Sequence, residues 1–374
     1  MKQTRRTALL SDPHIHLDYV FTALNPAAAN KTGSLFEGIQ RWSETKGRLT
    51  KEEIKERARQ AMKQEILTGV QYIRTHVDVT DPKLTALQAM LELREEVKDT
   101  CTLQIIAFPQ EGMYAYQGGD KLVEEALKMG ADLVGAIPHF EYTREDGVKS
   151  VQKAFELAVK YDKMVDIHCD ETDDDQSRFI EVLAAEALRS GIAEKATASH
   201  TCAMHSYNNA YTYKLFKLLG LSKVNFISCP TENIHLQGRF DNYPNAAADA
   251  CQGIERSRHH VCFAQDSMSD PWYPVGNGNL MNILDAGIHI AQMMSIEEIS
   301  NSLDLITVNG ARTLNILDQY GIEAGKPANF IVLNAKGEFE AVCNRVSVAC
   351  SVRDGEFLFE RAPEVITTTN GLLK

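Results

Sequence analysis

The sequence predicts an α/β protein of the (β/α)8 TIM-type barrel class, and three observations carry the prediction. Short apolar runs of strand length alternate with helix-length segments from Thr7 to Gln265. There are about eight such runs, the number that closes a parallel barrel. Polar residues suited to catalysis (His14, His16, His76, Gln110, His139, His168, His200 and Asp266) fall at or just beyond the C-terminal ends of those runs. Barrels of this class build their active sites at that rim.

Taken in order, Thr7-Ala8-Leu9-Leu10 reads as the first strand and leads to His14-Ile15-His16. Asp18 to Thr50 reads as a long polar connection, and Lys51 to Leu67 as a helix closed by Gly69. Val70 to Val79 alternates as a strand; helix Pro82 to Val97 and strand Leu103 to Phe108 follow, the latter stopped by Pro109. Helix Asp120 to Met129, strand Asp132 to Ile137, helix Gly147 to Tyr161 and strand Met164 to His168 continue the alternation. Helix Gln176 to Ser190, strand Ala196 to His200, helix Tyr207 to Leu219, strand Val224 to Cys229 and strand Val261 to Gln265 complete it. Met281 to Met294, Ile296 to Leu303 and Asn309 to Asp318 read as further helices. The tail changes character: Ala328 to Leu333, Ser347 to Arg353 and Glu356 to Phe359 are short strands, the last two joined by an Asp354-Gly355 turn. The organisation expected is a barrel over residues 1–324 and a small β appendage over residues 325–374, with no solenoid repeat and no low-complexity tract.

The 374-residue chain is long enough for one large barrel with modest additions. A formal net charge of -12 argues against nucleic acid or a membrane surface as partner, since both would repel it. A small neutral substrate is untouched by that argument. Eight cysteines show no regular framework, and Cys169, Cys229 and Cys262 sit inside apolar runs as reduced thiols would, so a reducing cytoplasm is expected. No cleavable signal is apparent before His14, and no apolar run approaches the ~18 residues that span a bilayer.

Residues i and i+2 of a strand share a face, so His14 and His16 aim two imidazoles into one space. That is half of a transition-metal site, which a third His and an Asp from other strands would complete. His168 and Asp266 end such strands. Longer strings surround these residues: Asp12-Pro13-His14-Ile15-His16-Leu17-Asp18, Gly33-Ser34-Leu35-Phe36-Glu37-Gly38-Ile39, Arg74-Thr75-His76-Val77-Asp78 and Ala107-Phe108-Pro109-Gln110-Glu111-Gly112. Gly135-Ala136-Ile137-Pro138-His139, His168-Cys169-Asp170-Glu171, Ala198-Ser199-His200-Thr201, Asn233-Ile234-His235-Leu236-Gln237-Gly238-Arg239 and Asp270-Pro271-Trp272-Tyr273-Pro274 continue them. In these strings the chain, from about Asp12 to Phe359, resembles the amidohydrolase superfamily, and within it bacterial cytosine deaminase of the metal-dependent barrel type.

The resemblance implies His14, His16, His168 and Asp266 as ligands of one divalent metal, Fe(II) or Zn(II), both of which accept that donor set. Binuclear relatives place a carboxylated Lys at the end of strand four, where this chain has Pro138-His139, so one metal is expected. Asp266 would also take a proton as water attacks the amine-bearing carbon. Glu171 would protonate the ring nitrogen and carry protons to the departing ammonia; the plainer alternative is an acidic residue at a helix N-terminus. His200 is expected to hydrogen-bond the attacking water rather than ligate. Gln110 offers a donor and an acceptor to an N–C=O edge, and Trp272 either lies against the heterocycle or simply packs. His76, His139 and His235 are read as supporting or loop residues. The expected partners are a small heterocyclic substrate and copies of the chain in a homo-oligomer.

Three departures bear on substrate. Close relatives read Gly-His-Asp-Asp around the metal Asp, where this chain has Ala264-Gln265-Asp266-Ser267. Ser267 removes a charge and opens space beside the ring, which points to 5-methylcytosine, isoguanine or creatinine rather than cytosine alone. Only thirteen residues precede His14, so the strands that pair with the C-terminal ones are expected to be largely missing, leaving an incomplete sandwich. Residues 242–260 lack the apolar stripe of a barrel helix, Ile254 being the only large aliphatic residue there. The function expected is an aminohydrolase of cyclic amidines. Cyclic-amide hydrolysis and a non-catalytic heterocycle-binding barrel are the alternatives.

Overall fold

The computed structural model describes residues 5–239, 254, 259–362 and 365. The first strand, β1 (Arg5–Thr7), turns away from the barrel, and the barrel begins at β2 (Leu10–Ile15). The sequence placed the first barrel strand at Thr7 to Leu10, and the reason for the difference is Pro13. Lacking an N–H, it breaks the ladder, and the register of β2 against β3 (Val70–Asp78) jumps between Asp12 and Ile15.

The parallel sheet continues through β4 (Thr102–Phe108), β5 (Leu133–Ala136), β6 (Met164–Cys169), β7 (Ala196–His200), β8 (Asn225–Ser228) and β9 (Val261–Phe263), each beside its sequence neighbour. The seam closes just beyond β9. His16 N–H donates to the Asp266 carbonyl at 3.0 Å and Asp266 N–H to the His14 carbonyl at 2.8 Å. Backbone closure therefore sets both histidines of the triplet beside Asp266.

A helix, α1 (Leu35–Lys46), forms inside the segment read as a polar connection. Its N-cap is Ser34, whose hydroxyl accepts from Glu37 N–H, and Ile39 and Trp42 are buried on one face. The Trp42 indole N–H and the Lys46 ammonium both donate to Asp78 Oδ2 at 2.8 Å, tying α1 across the rim to the end of β3. α2 (Lys51–Leu67) starts with a Thr50–Glu53 capping box. α3 (Thr85–Val97), α4 (Gly119–Met129), α5 (Arg144–Tyr161), α6 (Phe179–Ser190) and α7 (Asn209–Ser222) pack outside the strands, and the short α8 (Pro230–Leu236) sits on the rim after β8. α9 (Leu280–Ile290), α10 (Ile296–Asn301) and α11 (Val308–Thr313) follow the barrel. Of residues 242–260, only Ile254, His259 and His260 are described, so the irregular composition noted there lies otherwise outside the described residues.

The appended antiparallel sheet runs β1-β10-β11-β12, with β10 (Phe330–Leu333), β11 (Val348–Arg353) and β12 (Glu356–Glu360); a short α12 (Glu338–Cys343) lies between β10 and β11. Arg5, Arg6 and Thr7 pair with Leu333, Val332 and Ile331. One short N-terminal strand of three residues thus reaches this sheet from the short segment before His14. Ile331 and Val348 share the barrel's hydrophobic cluster, and they press on Gly69, where a Cβ would stand 3.0 Å from Val348 Cγ2.

Candidate active site

Five side chains meet at the barrel rim. His14 Nε2 lies 3.5 Å and His16 Nε2 3.6 Å from Asp266 Oδ1, and His16 Nε2 lies 3.1 Å from His168 Nε2. These three spacings lie near the edge of roughly 3.4 Å of a tetrahedron with metal–ligand bonds of ~2.1 Å. The fifth, His200, brings Nδ1 to 3.8 Å from Asp266 Oδ2. All five are buried.

The hydrogen-bond chain behind His14 decides which of its nitrogens faces the cluster. Ser199 Oγ gives its one proton to Asp166 Oδ1 at 2.7 Å, so it accepts from His14 Nδ1–H at 3.0 Å. Nε2 keeps its lone pair and has no hydrogen-bond partner. Asp166 is in turn held by Arg74 NH1 at 3.0 Å, so a buried ion pair fixes the ring two steps away. A second chain holds His200. Asn233 Nδ2 donates to Glu171 Oε1 at 3.2 Å and to Gln237 Oε1 at 2.9 Å, which turns Asn233 Oδ1 toward His200 Nδ1 at 3.2 Å. His200 Nδ1 then carries the proton and Nε2, also without a partner, is an acceptor.

Burial, the largest influence, holds His16 and His168 well below the usual imidazole range, and takes His200 down to about 4 despite Asp266. All three rings are therefore neutral donors at pH 7. Burial would raise Asp266, but the neighbouring His14, His200 and His16 outweigh it and hold the carboxyl below its ordinary value. Burial, and next the Asp266 charge, push Glu171 well above the carboxylate range. Two neighbouring carboxyls shifted in opposite directions are the pairing that general base and general acid need. An unpartnered His14 Nε2, the Nε2 atoms of His16 and His168 side by side, and the Asp266 carboxylate close to His14 and His16 fit a divalent ion.

Beside the cluster lies a tight pocket lined by Tyr19, Leu35, Gln110, Glu171, Glu232, Leu236, Ser267 and Trp272 with His16, His168 and Asp266. A larger cleft bordered by Glu194, His259, His260 and Arg312 contains none of the residues of this cluster. Gln110 and Ser267 are buried at the pocket wall, with Gln110 Oε1 unpartnered. Trp272 packs at 4.5 Å between ring centroids on Tyr19 and over Gly38, whose absent Cβ would stand 2.5 Å from the indole nitrogen. All nine site residues named from the sequence thus converge at one end of the barrel.

His76 and His235, read from the sequence as supporting or loop residues, lie beside the site, while Cys229, Asn233, Gln237 and Glu232 were not singled out. His76 is fully buried against the cluster, 4.0 Å from His14 and 4.5 Å from His168 between ring centroids. Cys229 reaches the group formed by His14, His200 and Asp266, and its burial pushes the thiol well above its ordinary value, so it stays neutral. Asn233, Gln237 and Glu232 come from α8 and the residue after it. His235 faces the Trp272 carbonyl at 2.8 Å and so steadies the pocket loop.

The model of the amidohydrolase family matches residues 6–359. The chain belongs to the amidohydrolase family. As such it is a metal-dependent hydrolase of carbon–nitrogen bonds. The 5-methylcytosine deaminase of Klebsiella pneumoniae, crystallised with 5-fluorocytosine, superposes with a TM-score of 0.95 and 50% identity, over 97% of this chain and 88% of that one. The N-isopropylammelide isopropyl amidohydrolase of Pseudomonas sp. (strain ADP) is 28% identical over 93% of this amidohydrolase and 84% of its own length. The N-isopropylammelide isopropylaminohydrolase structure from Burkholderia multivorans shares the fold, with a TM-score of 0.80 at 24% identity over 95% of this chain and 86% of that chain.

Proposed function

We propose that this amidohydrolase deaminates 5-methylcytosine, yielding thymine and ammonia. The observation that carries the reading is the 50% identity, over nearly the whole chain, to a 5-methylcytosine deaminase. Ser267 in the pocket wall supports it, because a small neutral side chain next to Asp266 leaves room for a 5-methyl group.

His14, His16, His168 and Asp266 would hold one Fe(II) or Zn(II), through neutral nitrogens and one carboxylate. When bound, the ion supplies Lewis-acid activation that brings the pKa of a water toward neutrality. Asp266, ionised, takes a proton from the water whose oxygen bonds to the amine-bearing carbon. Glu171, its carboxyl pushed up by burial and by Asp266, gives a proton to the adjacent ring nitrogen, and Asn233 keeps it aimed. His200 Nε2, an acceptor, orients the water, while Gln110 reads the N–C=O edge and Trp272 covers the ring. The carbon–nitrogen bond then breaks: one water proton leaves on the amine as ammonia, and the other restores the Glu171 acid. Among the described residues no helix is long and apolar enough to cross a membrane. Seven free cysteines among them suit a reducing compartment such as the cytoplasm.

Ammonia release from 5-methylcytosine, cytosine, isoguanine and creatinine by the metal-loaded protein tests the proposal. A kcat/KM on 5-methylcytosine at least equal to that on cytosine is expected. Preference for cytosine over all the others by orders of magnitude, or no release at all, would overturn it.

A further inference from the structure

Glu232 has no part in the steps above, yet it is among the most constrained groups in the pocket. It lies in the first turn of α8, 2% exposed, in the wall that also holds Gln110, Glu171, Asp266, Ser267 and Trp272. Neither carboxyl oxygen has a hydrogen-bond partner. Its neighbours are already engaged. Glu171 Oε1 accepts from Asn233, and Asp270 accepts the backbone N–H groups of Met268, Trp272 and Tyr273. The Ser267 hydroxyl lies close by without closing a bond. A buried polar group left without a protein partner costs stability, and in a ligand pocket that cost is recovered when the ligand supplies the partner.

Burial, and then Asp266, Asp270 and Glu171, push the Glu232 carboxyl well above its usual range. In its protonated form a carboxyl presents one acceptor and one donor. On the deaminase reading, Glu171 serves the ring nitrogen and Gln110 the N–C=O edge, which leaves the exocyclic amine without a contact. That amine sits on the carbon whose attacking water Asp266 deprotonates, and Asp266 is the charge that acts most strongly on Glu232.

We infer that Glu232 is the substrate-binding group for the departing amine, its carbonyl oxygen accepting an amine N–H and its hydroxyl donating to the nitrogen lone pair as the carbon becomes tetrahedral. The inference rests on the deaminase reading and adds to it the residue that recognises the leaving group. Glutamine reproduces an acceptor and a donor, whereas valine supplies neither.

The test compares wild-type protein, Glu232→Gln and Glu232→Val, all metal-loaded. It measures kcat/KM on 5-methylcytosine and the dissociation constant of 5-methylpyrimidin-2-one, which has the ring without the amine. Glu232→Val is expected to lose about 10- to 100-fold in kcat/KM, the worth of one or two buried hydrogen bonds, while Glu232→Gln stays within about threefold of wild type. Both variants should bind the amine-free ring within about threefold of wild type, a result that a packing role would not give. Unchanged turnover in Glu232→Val, equal loss in both variants, or a parallel loss of pyrimidinone binding would each overturn the inference. Wild-type protein that releases no ammonia from pyrimidines would overturn the deaminase reading beneath it, a failure separable because it needs no variant.

Discussion

The two halves of the barrel interior treat buried polarity in opposite ways. In the lower half, Arg74 is fully buried, yet each arm of its guanidinium is used. Nε donates to Gln104 at 3.0 Å, NH1 to Asp166 at 3.0 Å and NH2 to the Thr313 carbonyl at 2.7 Å. At the rim, His14 Nε2, His200 Nε2, Gln110 Oε1 and both oxygens of Glu232 are equally dry and have no partner. A satisfied buried network holds the fold, and an unsatisfied one is where a metal and a heterocycle belong. Ser199 joins the two, since it accepts from His14 and donates to Asp166.

Substitutions in each half should therefore fail differently. The largest effect is expected for Asp266→Ala. It should lower kcat by about 10³-fold or more and abolish tight metal binding, measured by elemental analysis, while circular dichroism stays that of a folded barrel. Glu171→Gln should cost about 10²- to 10⁴-fold in kcat with the metal content intact, separating the acid from the ligands. Arg74→Met should act on the fold instead. It strands Asp166 without its partner, and chemical denaturation should show a loss of about 3–5 kcal/mol. Ser267→Asp should shift the kcat/KM ratio of 5-methylcytosine to cytosine by about 10- to 200-fold toward cytosine, the range one methyl group is worth.

The smallest effect concerns pH. The Glu171 carboxyl is raised in the folded protein, so folding takes up a proton above the unfolded value near 4.5. The stability this contributes is complete below that value and is lost as pH rises through the folded pKa. Gln does not titrate. Metal-free Glu171→Gln should therefore gain in melting temperature over metal-free wild type on going from pH 5 to pH 8, as calorimetry would show.

The alternation of strands and helices was legible because each barrel strand is a short apolar run, and the rim residues were legible because polar side chains ended those runs. The misplaced first strand turns on Pro13, which breaks both the pattern and the hydrogen-bond ladder. Helix α1 was hidden in a polar stretch, although Leu35, Ile39 and Trp42 at helical spacing mark its inward face. Asn233 stood inside a matched string but carried no signal of its own, since its role comes from the distances to His200 and Glu171. Glu232 reads in sequence as an ordinary acidic residue in the first turn of a helix after Pro230. Its burial, which no local pattern encodes, is what sets it apart. Cys229 and His76 were visible only as a buried thiol and a strand-end histidine until the barrel closed and brought them to the cluster.

On the deaminase reading, the rim groups form one site for one metal and a methylated aminopyrimidine. Metal-stripped protein titrated with Fe(II) or Zn(II), with ammonia release from 5-methylcytosine followed at each step, tests that most directly. Activity should rise linearly and stop at one equivalent per chain. Full activity without metal, a break at two equivalents, or no ammonia from the fully loaded protein would contradict it.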